Sequence, residues 1–320
     1  MKLGVFSVLF AQLSFDDTLK KVKAAGLDAI EIGTGAYPGD SHCDVDALLA
    51  DAAKAKDYRK QVDDHGLTIS ALSCHGNPLH PKDSIATEHD EIFRKTVRLA
   101  EQIEVPVVVT FSGCPGDSDT ASYPNWVTCP WPPDFQEVLD WQWEKKAIPY
   151  WKDAAGFAAE HGVKVALEPH PGFVVYNGET ALMLRAEVGD NLGVNFDPSH
   201  FFWQGVDVPA AIRACGKTIF HFHAKDSALD PQNIALNGVI DAKSYTEMAD
   251  RAWLFRTVGW GHDLLTWKQI VSALRMVGYD YVMSIEHEDA LASIDEGFMG
   301  AIDVLKRAIL RDPPAEAWWT

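Results

Sequence analysis

Short apolar runs and longer amphipathic stretches alternate along the whole chain. LGVFSV (3–8), AIEIG (29–33), TISALSC (68–74), VPVVVTF (105–111), VKVAL (163–167), LGVNF (192–196), IFHFH (219–223) and YVMSI (281–285) have the length and β-branched content of buried strands. Helical patterns lie between them. DDTLKKVKAAG (16–26) stops at Gly26, and one acidic and basic helix runs to about Asp64, ended by His65-Gly66. Helices are also predicted over 86–103, 136–161, between strands five and six, and over 293–310. Eight strands separated by helices, with no linker, predict an α/β fold: a single (β/α)8 TIM barrel over residues 1–320. An open doubly wound sheet usually has fewer strands and a glycine-rich first turn, which is absent.

Two intervals break the rhythm, so extended loops are expected after strands four and seven. SGCPGDSDTASYPNWVTCPWPPDF (112–135) is too long for an ordinary connection, which marks a functional loop. The stretch from His223 to Glu286 also exceeds one βα unit. Its extra part, NIALNGVIDAKSYTEMADRAWLFRTVGWGHD (233–263), reads as an excursion covering the rim.

Composition removes several function classes. The net charge of −18 repels polyanions, so neither nucleic acid nor an anionic membrane is an expected partner. No run of about 18 apolar residues occurs, so no transmembrane helix is expected. MKLGVFSVLFAQLSFDD reads as a first strand rather than a leader, and a cytoplasmic location is expected. The five cysteines are scattered without CxxC and read as reduced thiols.

In such barrels chemistry sits where the strands end. Strand five ends at Glu168, strand six at Asp197, strand seven at His223 and strand eight at Glu286. A lone carboxylate after a strand is often a helix cap, and a lone histidine in an apolar strand is usually structural. Four such side chains on one rim are a different matter. Converging carboxylates repel unless a cation joins them. Three oxygen donors and one nitrogen favour one divalent ion, Mn²⁺ first, with Mg²⁺ or Co²⁺ as alternatives. His75, His170, His200 and Lys225 lie at or just beyond strand ends, as binders of substrate oxygens or partners of the ligands. His221 alternates with His223 one layer deeper and reads as structural. His287 should face away from Glu286.

Glu168, the Asp197-Pro-Ser-His200 turn, His223 in HFHAKD and Glu286 resemble the xylose isomerase-like TIM-barrel superfamily over nearly the whole chain. This group includes sugar isomerases and epimerases, inosose dehydratase and endonuclease IV. The resemblance implies a metal-dependent isomerase or epimerase of keto sugars. In it Glu168 and Glu286 exchange a proton beside the carbonyl through an enediolate, and His200 touches substrate oxygens. A 3-keto-glycoside lyase, similar to C-glycoside deglycosidases, is the first alternative. It would use His170 as base, expel an aglycone and work with a small second subunit. Water elimination like that of inosose dehydratase is a further one. A nuclease like endonuclease IV would need a histidine after strand four, where VTFSGCPG has none. A barrel used only for assembly would not need intact ligands.

The excursion adds Arg256 and His262 as candidate substrate binders, with pairing to an acidic neighbour an equal reading for Arg256. Trp126, Trp131, Trp141, Trp143 and Trp151 offer an apolar face to a sugar ring or to a protein partner, and a homo-oligomer is expected.

Overall fold

The computed structural model describes residues 1–316 and Trp319. Its strands are β1 (Lys2–Phe6), β2 (Ala29–Gly33), β3 (Thr68–Ser73), β4 (Val107–Thr110), β5 (Lys164–Leu167), β6 (Leu192–Phe196), β7 (Ile219–Ala224), β8 (Asp226–Leu229), β9 (Trp253–Arg256) and β10 (Val282–Ile285). All but β8 and β9 form one closed parallel barrel in the order β1-β10-β7-β6-β5-β4-β3-β2. β1 closes the ring by pairing with β10 from Lys2↔Val282 to Val5↔Ile285 and with β2 from Gly4↔Ala29 to Phe6↔Glu31.

Strand alternation divides the core. Along β4, Val108 packs outward in the large layer between sheet and helices. Val107 and Val109 join Ala71 and Ala166 in a small separate cluster that fills the barrel's lower interior. Phe220 closes against this cluster. A Cβ at Gly193 would lie 2.4 Å from its ring, so glycine is required beside it. Further along the strands the interior turns polar. Glu31, Ser70, Ser73, Asn195, His221, His223 and Ser284 are all buried.

The predicted helices form with two adjustments, and two helices not predicted, Val208–Cys215 and Leu264–Met276, stand before β7 and β10. The expected single helix to Asp64 is two, Val45–Ala50 and Ala52–Asp64. Asp51 separates them: it leaves the helical conformation at φ −140°, and its carboxylate caps the amides of Ala53 and Lys54. The stretch over 136–161 is helical from Asp134 to Glu160 but contains a π turn over Gln142–Ala147. Trp143 and Trp151 are buried in the core. The Trp151 indole donates to the Ser112 carbonyl at 2.9 Å, pinning the loop after β4 to its helix. These two tryptophans are therefore packing residues, whereas Trp131 is 75% exposed. All five cysteines are free thiols. Among the described residues, no helix is long and apolar enough to cross a membrane.

The excursion after β7 is a folded unit. β8 and β9 pair antiparallel from Asp226↔Arg256 to Leu229↔Trp253. Its anchor is Asp226, fully buried just beyond the end of β7. One carboxylate oxygen accepts from the amides of Gly259, Gly261 and His262 and from the Trp267 indole, and the other from His262 Nδ1. Gly261 must lack a side chain, since a Cβ would lie 2.3 Å from the Ser227 carbonyl. Each buried donor left without an acceptor costs about 1–3 kcal/mol. Asp226→Ala should therefore lower stability by about 3 kcal/mol or more, read from the urea midpoint. An unchanged midpoint would show that this carboxylate does not anchor the excursion.

Candidate metal centre at the barrel mouth

Because the eight barrel strands are parallel, their C-terminal ends share one rim. Glu168 follows β5, Asp197 follows β6, His223 lies near the end of β7 and Glu286 follows β10. One donor atom from each lies within 4.8 Å of the others. His223 Nδ1 is 3.0 Å from a Glu168 oxygen and 2.9 Å from Glu286 Oε2. Yet His223 Nδ1, Glu286 Oε2 and Asp197 Oδ2 are buried without a hydrogen-bond partner. Buried polar atoms are nearly always satisfied. Three orphaned donor atoms in one cluster, whose members offer donors within 4.8 Å of one another, fit a bound cation. The four residues could thus hold one divalent metal.

A second layer of contacts aims these ligands. Glu31, buried on β2, accepts from His223 Nε2 at 2.9 Å and from the hydroxyls of Ser73 and Ser284 at 2.5 and 2.6 Å. This bond commits Nε2 as a donor and turns Nδ1 towards the other three ligands, the usual task of a carboxylate behind a metal-binding histidine. Burial alone would raise the Glu31 pKa, but His223 and His221 outweigh it and bring it to about 2. Burial would lower His223, but Glu31, Glu168 and Glu286 hold it well above the usual histidine range.

Glu168 is fixed from several sides. It contacts Nε2 of both His75 and His200 (3.1 and 3.2 Å) and accepts from Asn195 Nδ2 at 2.8 Å. Asn195 in turn meets His221 Nδ1 at 2.9 Å, and His221 Nε2 meets Ser70 at 3.2 Å. The deeper histidine thus supports Glu168 through Asn195. Burial holds His221 down at about 4, in its neutral form. Burial opposes ionisation of Glu168, but His223, His200 and His75 keep its pKa well below the usual range. Asp197 has less support, and burial pushes it up to about 6. Lys225 spans the acidic side, 3.4 Å from Glu286, 3.7 Å from Asp197 and 2.5 Å from Glu288.

His170 stands beside this cluster, its ring 4.1 Å from that of His200. Its Nδ1 donates to the Pro171 carbonyl at 2.6 Å, leaving Nε2 as the acceptor nitrogen. Burial, reinforced by His200, keeps its pKa well below the usual value.

His75, His170, His200 and Lys225 therefore gather around the four ligands. Arg256 and His262 do not. Arg256 pairs with Asp289 at 3.1 Å, and His262 bonds Asp226 while its ring stacks on Phe202 at 3.6 Å. Strand alternation explains Arg256: in β9, Trp253 and Phe255 face the site and Arg256 faces the other way. Phe255 meets the His200 ring edge-to-face at 5.5 Å and lies under the Lys225 ammonium at 4.2 Å. His287 lies against the last helix at Gly297, away from the site. Glu31, Asn195, Glu288 and Phe255 were not singled out from sequence. Glu31 had a signal, as the one charged residue inside an otherwise apolar strand.

The barrel and its rim of carboxylates and imidazoles define a (β/α)8 class with a candidate metal centre. The chain belongs to the xylose isomerase-like TIM barrel family, whose model matches residues 19–308. It is 38% identical over 312 residues to "Uncharacterized protein YfiH" of Bacillus subtilis (strain 168), spanning 97% of this chain and 99% of that protein. Over 154 residues it is 27% identical to the inosose isomerase of Bacillus velezensis, covering 47% and 49% of the two chains. The D-psicose 3-epimerase of Clostridium cellulolyticum H10, solved with D-tagatose, shares the fold with a TM-score of 0.62 at 15% identity over 96% and 98% of the chains.

The support from Glu31 has a measurable consequence. Glu31→Gln should keep the fold but weaken Mn²⁺ binding by about 10–100-fold, as loss of such an orienting partner typically does. Calorimetric titration of the metal-free protein reads this directly. Unchanged affinity in a folded variant would mean that Glu31 does not orient His223.

Proposed function

We propose that the protein is a divalent-metal-dependent isomerase or epimerase of a keto sugar. The observation that carries this reading is the convergence of Glu168, Asp197, His223 and Glu286, with donor atoms within 4.8 Å of one another and those of the last three including a buried atom without a partner. Mn²⁺ is the preferred ion, because the donor set is three carboxylates and one imidazole. When bound, the ion would polarise the sugar carbonyl and make the neighbouring C–H more acidic.

The side chains supply the rest. Glu168, held by His75, His200 and Asn195, presents a carboxylate of set orientation to one side of the substrate carbon. Glu286, which meets His223 through Oε2 and Lys225 through Oε1, can take or return a proton on the other side. Two carboxylates serving opposite faces are what inversion at that carbon requires. His200 and Lys225, which pair with the carboxylates of the cluster, would have to exchange one of those contacts to donate to a substrate oxygen. The names of the inosose isomerase and the D-psicose 3-epimerase agree with a polyhydroxylated ketone as substrate.

A second reading, elimination from a 3-keto-glycoside, is favoured by one observation. His170 presents an unprotonated Nε2 beside His200, which suits a base distinct from the metal ligands. Both readings begin with proton removal next to a carbonyl; they part at the next step, where a proton returns or a group leaves.

NMR in D₂O with the Mn²⁺-loaded protein, the ion removed before spectra are recorded, tests them. Deuterium beside the carbonyl together with a new epimer is the expected result, and release of an aglycone would establish elimination instead. Glu168→Gln and Glu286→Gln should each lower exchange by about 10²–10⁴-fold, the usual contribution of a positioned acid or base. Full exchange in either variant would remove that carboxylate from the mechanism.

A further inference from the structure

The candidate ligands occupy the end of the barrel where the strands finish. A cavity of about 520 Å³ opens at the other end, where they begin. Val107, Lys164 and Ile219, the first residues of β4, β5 and β7, line it, with Tyr281 just before β10. Its floor is the half-buried ring of Phe220, which closes the barrel from below. The helices Val208–Cys215 and Leu264–Met276 end at its edge, at Gly216 and Gly278. These glycines have φ of 56° and 83°, and beside each a Cβ would meet nothing within 4 Å, so the helix ends leave the cavity open.

The lining is apolar, and most of its polar groups are already paired. The Tyr279 hydroxyl donates to the Val282 carbonyl at 2.5 Å, and the Tyr281 hydroxyl to the Ser70 carbonyl at 2.9 Å. Asp280, the one carboxylate in the lining, pairs with Arg275 at 3.4 Å. Two ammonium groups are left. Lys164 Nζ stands over the Phe220 ring, 4.8 Å from its centre, and Lys217 lines the same cavity. Among the described residues, neither ammonium forms an ion pair or a hydrogen bond. The chain as a whole carries a net charge of −18. An apolar cavity whose unpaired charges are both positive is an exception on such a surface, and it complements an apolar ligand with an anionic group.

Size and shape narrow the ligand. Small-molecule sites measure about 300–1,000 Å³, and a cavity of roughly 150 Å³ holds benzene. There is room here for two or three rings. Phe220 and Tyr281 are half-buried and offer aromatic surface to flat rings. The satisfied tyrosine hydroxyls ask no hydrogen bond of the ligand's body, which sets it apart from a polyhydroxylated sugar.

We propose that this cavity is a second binding site, for an aromatic monoanion whose rings pack on Phe220 and Tyr281 and whose charged group meets Lys164 and Lys217. It lies at the opposite end of the barrel from the candidate metal centre and does not depend on the keto-sugar reading.

Fluorescence titration of the full chain with 8-anilinonaphthalene-1-sulfonate, an aromatic monoanion that brightens in apolar sites, tests the proposal. Saturable one-to-one binding is expected. The neutral analogue N-phenyl-1-naphthylamine should bind about ten-fold more weakly, since it lacks the charge-assisted contact. The double variant Lys164→Glu, Lys217→Glu should weaken the anion by about ten-fold or more and leave the neutral analogue nearly unchanged. Lys54→Glu, the same charge change on the helix Ala52–Asp64, should leave both affinities as they are. Both cavity lysines are exposed, so the double variant should fold, which thermal unfolding checks. A lysine beside a helix C-terminus is stabilising in its own right. A double variant that melts earlier but binds the anion as before would assign the lysines to that role and overturn the site. Equal affinities for the anion and the neutral analogue, or no saturable binding, would overturn it as well.

Discussion

The mouth of this barrel is organised by buried negative charge. Glu31, Glu168, Asp197 and Glu286 lie within a few side chains of one another, and burial pushes the pKa of every one upwards. Left to themselves, some would protonate and lose their value as ligands. Interleaved cations and donors prevent this. His223 stands between Glu31 on one side and Glu168 and Glu286 on the other, while Lys225 bridges Glu286, Asp197 and Glu288. Such an arrangement survives only if the scaffold holds it, because breaking one member leaves an uncompensated charge in a dry site. The closed sheet supplies that hold. β2 and β7 are not neighbours in the barrel, so the bond from Glu31 to His223 crosses the interior and exists only when the ring is complete.

The excursion depends on a second buried carboxylate. Asp226 gathers amides from the returning chain at Gly259, Gly261 and His262, which fixes where β9 must lie. Antiparallel pairing with β8 then sets the register, and alternation decides which side chains reach the centre. Phe255 and Trp253 do, and Arg256 does not. The excursion therefore brings aromatic surface rather than positive charge to the rim. With Lys225 already committed to three carboxylates, little unpaired positive charge remains near the centre for a phosphate.

The barrel and the four candidate ligands were legible because both follow from periodic signals. Apolar runs of strand length repeat eight times, and the strand ends carry Glu168, Asp197, His223 and Glu286. His75, His200 and Lys225 were legible for the same reason, as polar residues close behind a strand end. The hidden features depend on contacts between distant segments. Asn195 becomes a partner of Glu168 only because β5 and β6 are adjacent, and Glu31 meets His223 only across the barrel. For Arg256 an acidic partner was one of two equal readings, and Asp289 supplies it; His262 looked free in sequence, since nothing local shows that Asp226 meets it. The break at Asp51 was local and readable, as an acidic cap inside a helical pattern.

The two carboxylates proposed to move protons are not equivalent, and the difference bears on what the site can do. Glu168 is 2% exposed and engaged by three imidazoles and an amide, whereas Glu286 is 15% exposed and keeps one oxygen unpaired. A carboxylate with so many donors is held in one orientation and is a weak base, since every contact favours its charged form. Glu286 is also held low, by Lys225 and His223 against the effect of burial. The His170 imidazole, outside the ligand set and already committed to a neutral tautomer by Pro171, provides a third place for a proton without disturbing either carboxylate. A candidate metal centre flanked by three such groups, each in a different electrostatic setting, is compatible with either of the two proposed outcomes, inversion or elimination.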